Sequence, residues 1–329
     1  MTKLPHTQIT VLMPVYNSEK YLKEAMESIL SQSFRNFEFL IINDGSLDNS
    51  FNIISSYKDP RIRLVQNNKN RGLIYSLNKG IKLSKGELIA RMDADDISRP
   101  DRLEKQVKYM TTHPEVIVCG SDIGVINNIG KFLYYQPTLL RDKQIRNCMV
   151  VTCPLVHPSV IYRKNTIVEV GGYDTRAYVV EDYDLWVKLM TEGKFSNISE
   201  PLLYYRINPD GESISKKKIQ NTNTKHISAK IWEDYLATSK NWKDLWPDKR
   251  SIKIPRPNEY RHYAQLHILF SKKNKDSGRI IEAVRHVLAA IFWLPKSPYT
   301  YFYLLMFIIP NKLFLRLESF MLKLFSRSK

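Results

Sequence analysis

Four times in the first third of the chain, a short apolar run of strand character gives way to a polar residue and then to helical periodicity. Gln8 to Val15 (QITVLMPV) leads through Asn17 and Ser18 into a pattern built on Tyr21, Leu22, Ala25, Ile29 and Leu30. FEFLIIN precedes a helix over Phe51 to Tyr57, RIRLVQN one through Leu73 to Leu83, and GELIARM one from about Pro100 to Met110. Strands of buried character that alternate with helices predict a parallel, doubly wound sheet covered on both faces. Ligands of such sheets bind beyond the carboxyl ends of the strands. The polar residues of interest stand there: Tyr16 and Asn17, then Asp44, then Asn70 and Arg71, then Asp93 to Asp96.

After about Val116 the alternation loosens into VIVCGSDIGVIN, a helix near Leu139 to Met149, and SVIYR, which reads as an acceptor-side part of the same domain. A boundary near residue 215 separates an α/β domain, 1–215, from a helical, basic region, 216–329. The formal charge of +17 is concentrated there: 23 Lys and Arg against 8 Asp and Glu, a net of +15 (23 − 8), leave the rest nearly neutral. That distribution argues against a nucleic-acid groove, which interleaves aromatic and basic residues on the folded domain. Pro295, Pro298 and Pro310 cut the tail's apolar runs into pieces too short for the ~20 residues that span a bilayer. Its last piece sets Leu313, Phe314, Leu317, Phe320, Met321, Leu324 and Phe325 on one helical face, with Lys312, Arg316, Lys323 and Arg327 away from it. Such a helix suits either an anionic membrane surface or the α/β domain itself. Cys119, Cys148 and Cys153 have no metal-ligand spacing, and the N-terminus lacks a secretory apolar region, so a cytoplasmic protein is expected, peripheral at the inner face of the cell membrane.

Asp93-Ala94-Asp95-Asp96 puts three carboxylates into four residues directly after an apolar strand. Their repulsion calls for a cation, and a hard one, Mg²⁺ or Mn²⁺, binds carboxylates together with water and substrate phosphates. The structural alternative is helix capping, with Ser98 and Asp101 forming a capping box before α-helical residues near Pro100. Three acids exceed what a cap needs. Asp44-Gly45-Ser46 taken alone reads as an ordinary Asx turn.

In combination these stretches resemble the family 2 inverting glycosyltransferases of the GT-A fold. The resemblance rests on Leu12-Met13-Pro14-Val15-Tyr16-Asn17, Ile42-Asn43-Asp44-Gly45-Ser46, Asn70-Arg71-Gly72 with Asn78-Lys79-Gly80, Met92-Asp93-Ala94-Asp95-Asp96 and Pro100-Asp101-Arg102-Leu103, in that order. It covers about residues 7–206 and implies a Rossmann-like, mostly parallel sheet flanked by helices. It also implies nucleotide-sugar contacts at Pro14, Tyr16 and Asn17, with Tyr16 against the base, Asp44 accepting from an imide N–H such as that of uracil, and Arg71 donating to a base carbonyl or phosphate. Asp93 would face ribose and diphosphate, and Asp95, with Asp93, would hold Mn²⁺ or Mg²⁺.

Glu181-Asp182-Tyr183-Asp184 opens an amphipathic helix running to about Met190, where acids also suit the helix dipole. Inverting transfer needs a carboxylate to take the acceptor's proton, and the resemblance assigns that base to Asp182, with Glu181 and Asp184 as the alternatives. His157 resembles a segment near the donor sugar, although an isolated histidine is more often structural. Arg206 resembles an arginine that meets the diphosphate, and a histidine often stands two residues on, where this chain has Asn208. The implied activity is sugar transfer from a nucleotide-sugar, UDP-linked by the Asp44 and Arg71 pairing, to a glycan or lipid-linked acceptor in cell-surface polysaccharide or glycolipid synthesis. A sugar nucleotidyltransferase would need a glycine-rich, arginine-bearing loop after the first strand, which is missing. A non-catalytic surface-binding protein would have little use for Asp93, Asp95 and Asp182 together.

Overall fold

The structure, a computed structural model, describes residues 9–149, 152–224 and 226–227. The expected units appear in order: β1 (Ile9–Val15), α1 (Glu19–Leu30), β2 (Phe37–Asn43), α2 (Ser50–Ser56), β3 (Ile62–Gln66), α3 (Leu73–Leu83) and β4 (Leu88–Arg91). These four strands pair in parallel in the order β3-β2-β1-β4. β1 and β2 are buried at every position, as strands covered on both faces must be. β3 departs from the expectation of a fully buried strand. It lies at the sheet edge, half-buried, and Arg63 there pairs with Glu38 at 3.0 Å. Charge on an outer strand discourages pairing with another chain.

The second half continues the same sheet with a change of direction. β5 is Ile97–Ser98, α4 Arg102–Thr112, β6 Val116–Ile126, β7 Phe132–Gln136, α5 Asp142–Met149, β8 Ile161–Arg163, α6 Lys164–Glu169, α7 Glu181–Lys188, β9 Lys194–Arg206 and α8 Glu212–Ser215. β8 inserts antiparallel between β4 and β6, β6 runs parallel to β9, and β9 pairs with β5. The core lies between this sheet and helices α1 and α4, with Val11, Met13, Phe39, Leu103, Val107 and Ile161 fully buried.

The capping box does not form. Ser98 belongs to β5 and its hydroxyl accepts from Gln32 Nε2 at 3.2 Å, while Asp101 stands at the N-cap of α4 without a side-chain cap and pairs with Lys105 at 2.8 Å. α5 starts at Asp142 rather than Leu139, because the carbonyls of Leu139 and Leu140 accept hydrogen bonds from Asn197. Residues 217–224 are helical, as the polar pattern after Lys216 suggests, and no helix among the described residues is long and apolar enough to cross a membrane. The amphipathic stretch expected over residues 313–327 lies outside the described residues.

Candidate active site

The strand order places a crevice where β1 and β4 part. β1 pairs with β4 only as far as Leu12 and Arg91, after which Met92 N–H reaches back to Leu12 and the chain leaves the sheet. By the alternation of the ladder, the nitrogen of Pro14 points toward that gap, where no partner strand needs a donor. Pro14, expected to contact the nucleotide-sugar, is buried inside β1. Tyr16, just beyond, is 42% exposed at the mouth.

Loops after β1, β2 and β3 are stitched to one another. Asn17, with φ of 47°, receives Leu47 N–H on its Oδ1 (2.9 Å), and its own N–H donates to Ser46 Oγ (3.0 Å). Gly45 has φ of 69°, and a Cβ there would lie 2.5 Å from the Lys69 backbone, so only glycine lets these two loops touch. Asp44 is 3% exposed. Its Oδ1 accepts from Asn67 Nδ2 (2.6 Å) and Arg71 N–H (3.1 Å), and its Oδ2 from Arg71 N–H (3.1 Å) and Gly72 N–H (2.8 Å). Its acceptor positions are thus taken by Asn67 and the Asn70–Gly72 turn, and a base contact requires one of these donors to yield its place. The Arg71 guanidinium lies over the ring of Tyr75 at 4.5 Å, at the protein surface.

The acidic loop is fastened at both ends, by β4 at Arg91 and by β5 at Ile97. Ligand atoms of Asp93, Asp95 and Asp96 all lie within 4.8 Å of one another. Burial, then the charge of Asp93, raises the Asp95 pKa, and Asp96 is pushed well above the carboxylate range by burial and both neighbours. Asp96, only 1% exposed, accepts Arg206 N–H on Oδ1 (2.8 Å), while its Oδ2 has no hydrogen-bond partner among the described residues. An orphaned oxygen among repelling carboxylates fits a divalent cation, and it brings Asp96 in as a third donor beside the two acids expected. Asn208 Nδ2 donates to Asp95 Oδ2 at 3.0 Å, so a neutral amide occupies the position where the resemblance leads one to look for imidazole.

Three arginines beneath this loop carry the balancing charge. Arg91, 3% exposed, pairs with Asp93 and also acts electrostatically on Asp96, Glu181 and Asp182. Arg102 is fully buried, donates to Arg91 O (2.8 Å) and Gln106 Oε1 (3.0 Å), and is drawn by burial to a pKa of about 9. Arg206 is the third. Only 3% exposed, it donates to Asp95 O (2.7 Å), pairs with Glu24 and lies over the ring of Tyr21, so its guanidinium is engaged with the acidic loop and α1. Sequence reasoning missed Arg91 and Glu24. Arg91 left a signal, a charge closing an otherwise apolar strand; Glu24 left none, being one acid among several on the exposed face of α1.

Glu181 and Asp182 open α7, as expected. Burial, then Asp182, raises the Glu181 pKa to about 8. Burial also raises Asp182, whose Oδ1 accepts Tyr183 N–H at 2.7 Å. His157 is buried and held neutral; one ring nitrogen contacts Tyr173 Oη (2.8 Å) and the other lies 3.9 Å from Glu181. A carboxyl raised on folding stabilises the protein below its unfolded pKa, and that contribution is lost as pH climbs through the folded value. Glu181→Gln is therefore expected to match the parent in stability near pH 4 and to exceed it by on the order of 3 kcal/mol at pH 9, measured by urea unfolding. Equal stability at both pH values would show that Glu181 ionises freely.

Comparison with known proteins bears on the family and the fold. The chain matches the profile of glycosyl transferase family 2 over residues 10–169. It is 35% identical over 236 residues to the uncharacterized glycosyltransferase MJ1057 of Methanocaldococcus jannaschii, covering 69% of this chain and 80% of that one. The amylovoran biosynthesis glycosyltransferase AmsE of Erwinia amylovora is 32% identical over 206 residues, 61% of this chain and 77% of AmsE. The O-antigen biosynthesis glycosyltransferase WbnJ of Escherichia coli is 33% identical over 207 residues, 60% and 79% of the two chains. Among solved structures, Staphylococcus aureus TarS 1–349 in complex with UDP-GlcNAc gives a TM-score of 0.56 at 16% identity over 88% of this chain and 93% of that one. Mannosyltransferase PcManGT of Pyrobaculum calidifontis, in complex with GDP-Man and Mn²⁺, gives 0.52 at 16% over 88% of each. At such identities the likeness is one of fold, and the fold is GT-A. The chain belongs to glycosyl transferase family 2. The family profile ends at Glu169, so Glu181, Asp182, Arg206 and Asn208 lie beyond it.

Proposed function

We propose that this glycosyltransferase moves a sugar from a UDP-sugar to an acceptor hydroxyl with inversion at the anomeric carbon, in the synthesis of a cell-surface polysaccharide or glycolipid. The observation that carries the reading is the trio of crevice carboxylates within 4.8 Å, one oxygen of which is buried and unpartnered. Mn²⁺ or Mg²⁺ held by Asp95 with Asp93 and Asp96 would supply charge neutralisation for the departing diphosphate. Tyr16 lines the base, Asp44 and Arg71 select it, and Asp93 lies toward the ribose. Arg206 keeps the acidic loop in shape, and His157 with Glu181 forms a neutral wall near the sugar. Asp182, raised by burial, takes the proton from the acceptor hydroxyl as it attacks in line with the leaving diphosphate. The names of AmsE and WbnJ support a polysaccharide product, and the +15 of residues 216–329 supports peripheral contact with an anionic membrane beside a lipid-linked acceptor.

The two solved relatives hold different nucleotides, so a donor screen is the direct test. UDP- and GDP-sugars are offered with Mn²⁺, with Mg²⁺ and with chelator, and the protein's melting is followed. A UDP-sugar at a hundred times its Kd stabilises by about 2.7 kcal/mol in the presence of metal and not in chelator. A preference for GDP-sugars overturns the base assignment, and metal-independent binding overturns the role of the acidic loop.

A further inference from the structure

We infer that Cys153 is a positioning residue for the transfer reaction: its thiol holds the Asp182 carboxylate in the orientation from which that carboxylate accepts the acceptor's proton. This rests on the reading of Asp182 as the base. Cys153 follows α5 and precedes the short 3₁₀ turn His157–Ser159, an element separate from α7. Its Sγ–H lies 3.5 Å from Asp182 Oδ2, and Asp182 Oδ1 is held by Tyr183 N–H at 2.7 Å. The two oxygens are therefore tied to two different elements, which removes the swing a carboxylate at the start of a helix would otherwise have.

The choice of sulfur has a chemical consequence. A general base must be held without losing basicity, and a lysine, arginine or short hydroxyl contact would stabilise the carboxylate much more strongly than a thiol does. The thiol is a weak donor, and its long bonds reach across a gap that a serine hydroxyl, working at about 2.5–3.0 Å, would leave open. It also has an alternative: Leu155 O lies 3.5 Å from the same Sγ. An ionised Asp182 draws the thiol proton to itself, and a protonated one releases it to Leu155. The contact therefore favours the form of Asp182 that does the chemistry.

The test uses the full-length protein and two readouts. Iodoacetamide labelling between pH 7 and 10, followed for each cysteine by mass spectrometry, reports the contact without any sugar substrate. Burial, and then the charge of Asp182, disfavours the thiolate of Cys153, so Asp182→Asn, which removes the second cause, should speed labelling of Cys153 about tenfold while Cys119 and Cys148 keep their rates. An unchanged Cys153 rate overturns the contact. In donor hydrolysis with a UDP-sugar and Mn²⁺, Cys153→Ala should move the acid limb of kcat to higher pH and lower kcat several-fold, with the donor KM unchanged and Cys153→Ser giving no rescue. An unmoved acid limb in a normally melting variant overturns the positioning role. Full turnover by Asp182→Asn overturns the base assignment instead.

Discussion

Asp95→Ala is expected to lose metal-dependent donor binding by roughly a hundredfold or more, while the metal-free variant melts no lower than the parent. The first half follows from ligand count, since the loss of residues that merely support a metal ligand already costs about ten- to a hundredfold in affinity. The second half follows from the loop's electrostatics. Burial and Asp93 raise the pKa of Asp95, so its ionised form at neutral pH destabilises the fold, and removing it relieves repulsion on Asp96 as well. The repulsion weakens the fold in the metal-free state only, because a bound cation reverses its sign. Calorimetric titration of UDP with Mn²⁺, together with melting curves in chelator, checks both halves. Retained metal-dependent binding, or a markedly lower melting point in chelator, would show that the carboxylate is a structural brace.

Asp182→Asn is expected to separate chemistry from binding. The amide keeps the size of the side chain and its carbonyl can still accept Tyr183 N–H, so α7 should begin as before. It cannot take a proton, and loss of a general base costs about 10²- to 10⁴-fold in turnover. Donor affinity measured in the same preparation should be unchanged, because an interaction made only in the transition state affects kcat and kcat/KM equally. A fall in donor affinity that matches the fall in turnover would assign Asp182 to the donor site.

Much of this candidate site is legible in the amino-acid sequence because its polar residues sit at strand ends. Tyr16, Asn17, Asp44, Arg71 and Asp93 to Asp96 follow apolar runs whose period and length mark them as buried strands, and a parallel sheet gathers such ends at one edge. The edge position of β3 is less legible, since RIRLVQN reads as apolar unless one knows that Arg63 has Glu38 to meet. The helical pattern locates α5 but starts it three residues early, because Asn197, more than fifty positions away, takes the carbonyls of Leu139 and Leu140.

The amino-acid sequence by itself determined the alternation of strands and helices up to α4, the parallel half of the sheet and the position of an acidic cluster at the end of β4, because each follows from local periodicity, whereas β5, β7 and β9 were not legible in it. Only the tertiary structure decided what the polar groups there contact. Asp44 has its acceptor positions filled by a neighbouring loop, Arg206 braces Asp95 from beneath, Asp96 holds a bare buried oxygen, and Cys153 lies against Asp182. These are contacts between residues 23 to 111 positions apart. Hydrogen bonds and desolvation act over a few ångströms in space, a separation the chain's own periodicity does not encode.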